Sequence, residues 1–125
     1  MRQKIETNDA PNAAALLSQA IVSNGLIFVA GQIHQGVDGQ VVDGNVEQKV
    51  AQIMQNIQAI LKAAEADLNN IVKVVIYVTD MAQMPELNRV YPTYFSEPLP
   101  AREAVCVAAL PLGATIELSV IAAKS

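Results

Sequence analysis

Apolar side chains recur in steps of three and four between residues 45 and 67, at Val46, Val50, Ile53, Met54, Ile57, Ile60, Leu61 and Ala64. That spacing lays one continuous stripe along an α-helix. Glu47, Gln48, Lys49, Gln52, Gln55 and Gln58 cover the opposite side. Asn45 suits the N-cap, because its side-chain oxygen can accept a backbone N–H of the first turn. Over residues 71–79 the period changes to two. Val72, Val74, Ile76 and Val78 form one face of a predicted strand, and Lys73, Tyr77 and Thr79 lie on the other. A second helix is predicted from about Pro85, with Leu87, Val90, Tyr91 and Phe95 inward. Pro92 has no N–H to give the helical ladder, so a kink or an early end is expected there.

The remaining segments are shorter. Residues 4–7 read as a first strand, and residues 9–12, with Pro11, as a break. Residues 13–20 are alanine-rich and fit either a helical turn or a loop. Residues 21–31 read as a hairpin around Asn24-Gly25, since both residues tolerate positive φ; Gly31 is expected to end its second strand. Gly36, Gly39, Gly44, Asp38 and Asp43 mark residues 34–44 as a surface loop. Pro98 and Pro100 mark a loop over 96–100. Two final strands, 103–109 and 115–122, are close enough in sequence to pair as a hairpin. The order β, ββ, α, β, α, ββ predicts an α+β fold, a mixed β-sheet with two helices packed on one face. The 71–79 strand is apolar on both sides, so the uncovered sheet face is expected to meet other copies of the chain.

The chain has 125 residues, enough for a single domain spanning 1–125. It is 52% hydrophobic and 16% charged, a globular composition rather than a disordered one. A net charge of −4 disfavours nucleic acid as a partner, because binding phosphates requires clustered Lys and Arg. Cys106 and His34 are the only residues of their kinds. No internal disulfide can form, and a metal site is not expected. Cys106 is expected to pack as a small apolar group, and His34 to be solvated beside its Gly-rich loop. No apolar run reaches the ~18–20 residues that cross a bilayer. No secretory leader is visible, so the cytoplasm is the expected compartment.

The candidate chemistry lies near the end of the chain. Arg102 and Glu117 each stand among apolar neighbours on the two last predicted strands. A guanidinium offers a rigid fork of donors that matches the two oxygens of a carboxylate. A nearby carboxylate can hold a water or move a proton. The plainer reading is that the two side chains pair with each other across the sheet.

Several segments in order resemble one family: Asn8-Asp9-Ala10-Pro11, Val29-Ala30-Gly31-Gln32-Ile33, residues 72–80, Leu87-Asn88-Arg89-Val90-Tyr91, and Pro100-Ala101-Arg102 followed by Ile116-Glu117. Together they resemble the Rid (YjgF) family of reactive-intermediate deaminases over nearly the whole chain. The resemblance implies a chorismate-mutase-like fold, a homotrimer with sites at subunit clefts, and no cofactor. It implies hydrolysis of enamines and imines such as 2-aminoacrylate and 2-iminopropanoate to 2-keto acids and ammonia. Arg102 matches the residue that binds the substrate carboxylate, and Glu117 the one that positions the attacking water. Gly31 matches a pocket glycine, and Asn88 and Tyr91 match positions near the site. Three lining positions depart from the family pattern. Leu17 stands where Tyr is usual, Ala30 where Ser is usual, and Ala104 where Cys is frequent. Those replacements imply a more apolar substrate. They also keep open a non-catalytic module that binds small carboxylic acids. A third reading, RNA cleavage or inhibition of translation, is attached to some members and is opposed by the acidic composition.

Overall fold

Asn24 and Gly25 both adopt positive φ, 52° and 76°, and close a two-residue turn between β2 (Ala20–Ser23) and β3 (Leu26–Ile33). The hairpin signal in the sequence therefore forms as expected. The computed structural model describes residues 1–124. Its other strands are β1 (Gln3–Ile5), β4 (Ile71–Val78), β5 (Ala101–Cys106) and β6 (Ile116–Ala123). One six-stranded sheet runs β1-β2-β3-β6-β4-β5, antiparallel except for the parallel β4–β5 pair. Two helices, α1 (Val46–Ala63) and α2 (Met84–Val90), supply the other layer. This is the α+β arrangement predicted.

The helix α1 buries its predicted stripe. Val50, Ile53, Met54, Ile57, Ile60 and Leu61 are essentially inaccessible and pack against Val74, Ile76, Ile116 and Leu118 of the sheet. Asn45 caps it, and Asn45 and Gln48 exchange side-chain hydrogen bonds with each other's backbone N–H. The helix stops at Ala63, short of the expected residue 67. Glu65 takes a left-handed conformation, φ 61°, and the Ala66 N–H turns back to the carbonyl of Leu61. That stop usually carries glycine, so a glutamate there leaves no mark in the sequence. Pro92 acts as expected: α2 ends at Val90 and the chain continues as a 3₁₀ turn, Tyr91–Tyr94.

Three local expectations are corrected. Ile71 pairs with Ala122 while Lys73 pairs with Ile121, so Val72 is an extra residue in the ladder. The bulge turns Ile71 into the core and leaves Val72 47% exposed, the reverse of strict alternation. The two last strands are not a hairpin: β4 lies between them, because α2 carries β5 over to a parallel position on the edge. Cys106 ends that edge strand and is exposed rather than packed.

One face of the sheet carries both helices. The other bears Phe28, Val75, Tyr77, Val105 and Ile121, with Phe28 and Val105 well exposed. No helix of the described residues is long and apolar enough to cross a membrane.

Candidate functional site

Gly31 does not end β3. Val29 pairs with Val120 and Gln32 with Leu118, so Ala30 and Gly31 together oppose the single residue Ser119. This bulge redirects the strand beside a carboxylate. A Cβ built on Gly31 would lie 2.1 Å from Oε2 of Glu117 and 2.9 Å from its Cδ. Only a glycine lets the Glu117 carboxyl lie against the backbone here.

Glu117 alternates with the buried Ile116 and Leu118, so it projects from the uncovered sheet face between Ile33 and Tyr77. Burial pushes its pKa above the ordinary 4.5, and no cation or donor offsets that among the described residues. Gly31→Ala is expected to displace this carboxyl into solvent. The Glu117 pKa should then fall back toward 4.5, measured by NMR titration of its side-chain carbon. An unmoved value would refute the close packing.

Glu117, Gly31, Ala30 and Leu17 line one cavity of about 490 Å³. Its walls come from four segments: residues 11–17, the bulged end of β3, the loop at 35–39, and the turn Pro111–Gly113. Three buried polar side chains hold these walls. Gln19 accepts from the backbone N–H of Thr7 at 2.7 Å and donates to the carbonyls of Thr7 and Pro11, at 3.1 and 2.8 Å. Asn56 donates from α1 to the carbonyl of Gln35 at 2.8 Å. His34 is 2% exposed, not solvated as expected. The backbone N–H of Thr115 can only donate, and it points at Nε2, 3.0 Å away. Nδ1 therefore carries the proton and donates to the carbonyl of Val42 at 2.8 Å. The neutral ring ties the loop at 42 to the start of β6.

Burial holds the His34 pKa below the ordinary 6.5. A depressed histidine pKa means the unfolded chain takes up a proton first. The stabilising contribution is complete above pH 6.5 and is lost as pH falls from there through the folded value. His34→Gln is expected to flatten that part of the stability curve, measured by urea unfolding between pH 7.5 and 5. An identical slope in the variant would refute the role.

Arg102 is outside this cavity. It pairs in register with Val74, so it lies on the helix side of β5, the edge strand. Its guanidinium carbon is 5.1 Å from the ring centroid of Tyr91, a cation–π distance. The Tyr91 hydroxyl is buried and has no hydrogen-bond partner among the described residues. Asn88 is exposed on α2, three residues before Tyr91. Ala104 packs on the core. The ion pair considered between Arg102 and Glu117 does not form. The strand β4 separates them, they are offset by three residues along it, and they project from opposite faces. At ~4.8 Å per strand and ~3.3 Å per residue their backbones are roughly 14 Å apart. The structure thus gathers Leu17, Ala30, Gly31 and Glu117 in one place and leaves Arg102, Asn88 and Ala104 at another.

Gln19, Asn56 and His34 hold the site through backbone groups far away in sequence, which no spacing of residues signals. Asn56 alone carries a sequence signal, as an amide in the middle of an apolar helical stripe.

The family described as Endoribonuclease L-PSP matches residues 7–124. A mouse 2-iminobutanoate/2-iminopropanoate deaminase is 41% identical, with 99% of this chain and 93% of that one covered. Among solved structures, yeast Mmf1 superposes with a TM-score of 0.96 at 39% identity, covering 100% of both chains. The Escherichia coli protein TdcF, solved with bound serine, gives 0.90 at 30% identity, covering 98% of this chain and 99% of that one.

Proposed function

The chain belongs to the endoribonuclease L-PSP family, the family of the Rid (YjgF) proteins, and from that premise we propose that it is a hydrolytic deaminase of small 2-imino acids. The observation that carries the reading is Glu117, a carboxyl of raised pKa lying on Gly31 inside an open cavity. The mouse relative is named as a deaminase of 2-imino acids, and the serine bound to TdcF is a small amino-acid carboxylate in a related fold.

The reaction asks for little machinery. An enamine such as 2-aminoacrylate tautomerises to the imine, and protonation makes its C2 electrophilic. Glu117 accepts a proton as a water adds to C2, giving a carbinolamine. The same carboxyl returns the proton to nitrogen, then takes the hydroxyl proton as the C–N bond breaks, so that ammonia and a 2-keto acid leave and the proton passes to solvent. No electrons are gained or lost. A base of raised pKa accepts that proton more readily than an ordinary carboxylate. Holding water and imine together adds several kcal/mol more.

Arg102 is the carboxylate clamp, and it reaches the cavity from a neighbouring copy. Two features support this. The uncovered sheet face that bears Glu117 exposes Phe28 and Val105 beside the Lys73–Glu103 ion pair, and Arg102 is a cation on the sheet edge with no carboxylate paired to it among the described residues. A cyclic homotrimer docked through these faces places one site in each subunit cleft, with Asn88 and Ala104 arriving beside Arg102.

The test is the loss of enzymatically generated 2-aminoacrylate with and without the protein. Clear acceleration is expected. No acceleration, with small carboxylic acids still bound, would replace the deaminase with the non-catalytic binding module that Leu17, Ala30 and Ala104 leave open. The family's name, endoribonuclease, points instead to RNA. Against it, the chain is acidic and its single histidine is buried with both ring nitrogens engaged. Cleavage of RNA that withstands purification and added salt would revive that reading.

A further inference from the structure

At the mouth of the cavity three aliphatic side chains face solvent: Leu16 is 86% exposed, Leu112 66% and Val37 63%. Leu17, 46% exposed, completes the group. They come from three separate segments, so no local sequence pattern gathers them. Leu112 is the informative one. It takes φ 58° and ψ 22°, a left-handed conformation that asparagine and glycine adopt easily and leucine does not. Its side chain gains little burial in return. A residue that is both strained and exposed beside a cavity invites a functional reading. The cavity measures about 490 Å³ in the single chain and opens to solvent at this rim.

We infer that Leu16, Leu17, Val37 and Leu112 form a side-chain subsite, and that the substrates it selects are 2-imino acids with branched or long aliphatic side chains. The inference rests on the deaminase reading and names its substrate class. With its carboxylate clamped and its C2 beside Glu117, the substrate extends its side chain to the rim. A methylene enclosed in a hydrophobic pocket is worth about 10–200-fold in selectivity, and on so open a rim the whole side chain is expected to supply about tenfold. The hydrolysis is unchanged: water oxygen is gained at C2, and the nitrogen leaves as ammonia.

The experiment compares kcat/KM for imines released in situ from leucine and from alanine by an amino-acid oxidase. In parallel, the binding of 4-methyl-2-oxopentanoate and pyruvate is measured by NMR shifts. The wild type is expected to favour the leucine-derived imine by about tenfold or more. Leu112→Asn should lower that ratio several-fold while the melting temperature holds or rises by about 2–5 °C, since asparagine tolerates the left-handed turn. A wild-type ratio at or below one overturns the subsite and leaves the deaminase standing. No turnover of either imine, with the larger keto acid still bound more tightly, overturns the deaminase and leaves the subsite. A lowered melting temperature in Leu112→Asn with an unchanged ratio makes Leu112 a structural residue and also overturns the subsite.

Discussion

Glu117→Gln is expected to lower kcat/KM for 2-iminopropanoate hydrolysis by about 10²–10⁴-fold, the range lost with a positioned general base. The amide keeps the shape of the side chain and its contact with Gly31, so most of the loss should fall on kcat. The wild-type acid limb of kcat/KM should lie above pH 4.5, because burial raises the carboxyl and only its ionised form accepts a proton from water. Stability should move in the opposite sense. A carboxyl whose folded pKa exceeds its unfolded value binds more protons when folded. Its ionised form therefore costs stability as pH rises from about 4.3 through the folded pKa, a cost that persists above it. The variant has no such ionisation, so this contribution to its pH dependence should vanish, and its stability should equal or exceed that of the wild type at pH 7. Stopped-flow imine consumption and thermal melts between pH 4 and 8 check both halves. A variant that keeps most of the wild-type rate would remove Glu117 from the mechanism.

That site was only partly legible in the sequence, for identifiable reasons. Periodicity located α1 and β4, because burial of one face imposes its repeat on the residues directly. The bulges at Ala30-Gly31 and at Val72 break the two-residue repeat, and nothing in the sequence marks where an extra residue enters a ladder. Yet the first of these lets Glu117 lie on the backbone of Gly31. The supposed hairpin of the last two strands failed for a related reason. Adjacent strands in sequence usually pair, but here β6 inserts between β3 and β4, and the edge position goes to β5. That order separates Arg102 from Glu117 in one chain. The two residues were found by their chemistry and by the family resemblance. The distance between them, on which the proposal of a second subunit rests, belongs to the topology. His34, Gln19 and Asn56 escaped notice because their partners are backbone groups far away in sequence.

Arg102→Ala carries the second large effect. Removing the clamp should cost about 10²–10³-fold in kcat/KM, typical of a charge-assisted carboxylate contact inside a cleft. The substrate carboxylate is gripped alike before and during reaction, so the loss should appear mostly as a raised KM. The folded chain loses only an exposed contact with the Tyr91 ring, so its stability should change little. The decisive form of the experiment mixes two crippled proteins. Arg102→Ala retains Glu117, and Glu117→Gln retains Arg102. If each cleft draws these groups from different subunits, unfolding and refolding an equal mixture should restore about a quarter of the clefts, as random assembly of a cyclic oligomer requires. If both groups act within one chain, no intact site can form and the mixture stays as inactive as its parts. Light scattering on the same sample reports the assembly. A stable monomer would leave a cation and a carboxyl roughly 14 Å apart on opposite faces of one sheet, too far to hold the two ends of a molecule as small as an imino acid.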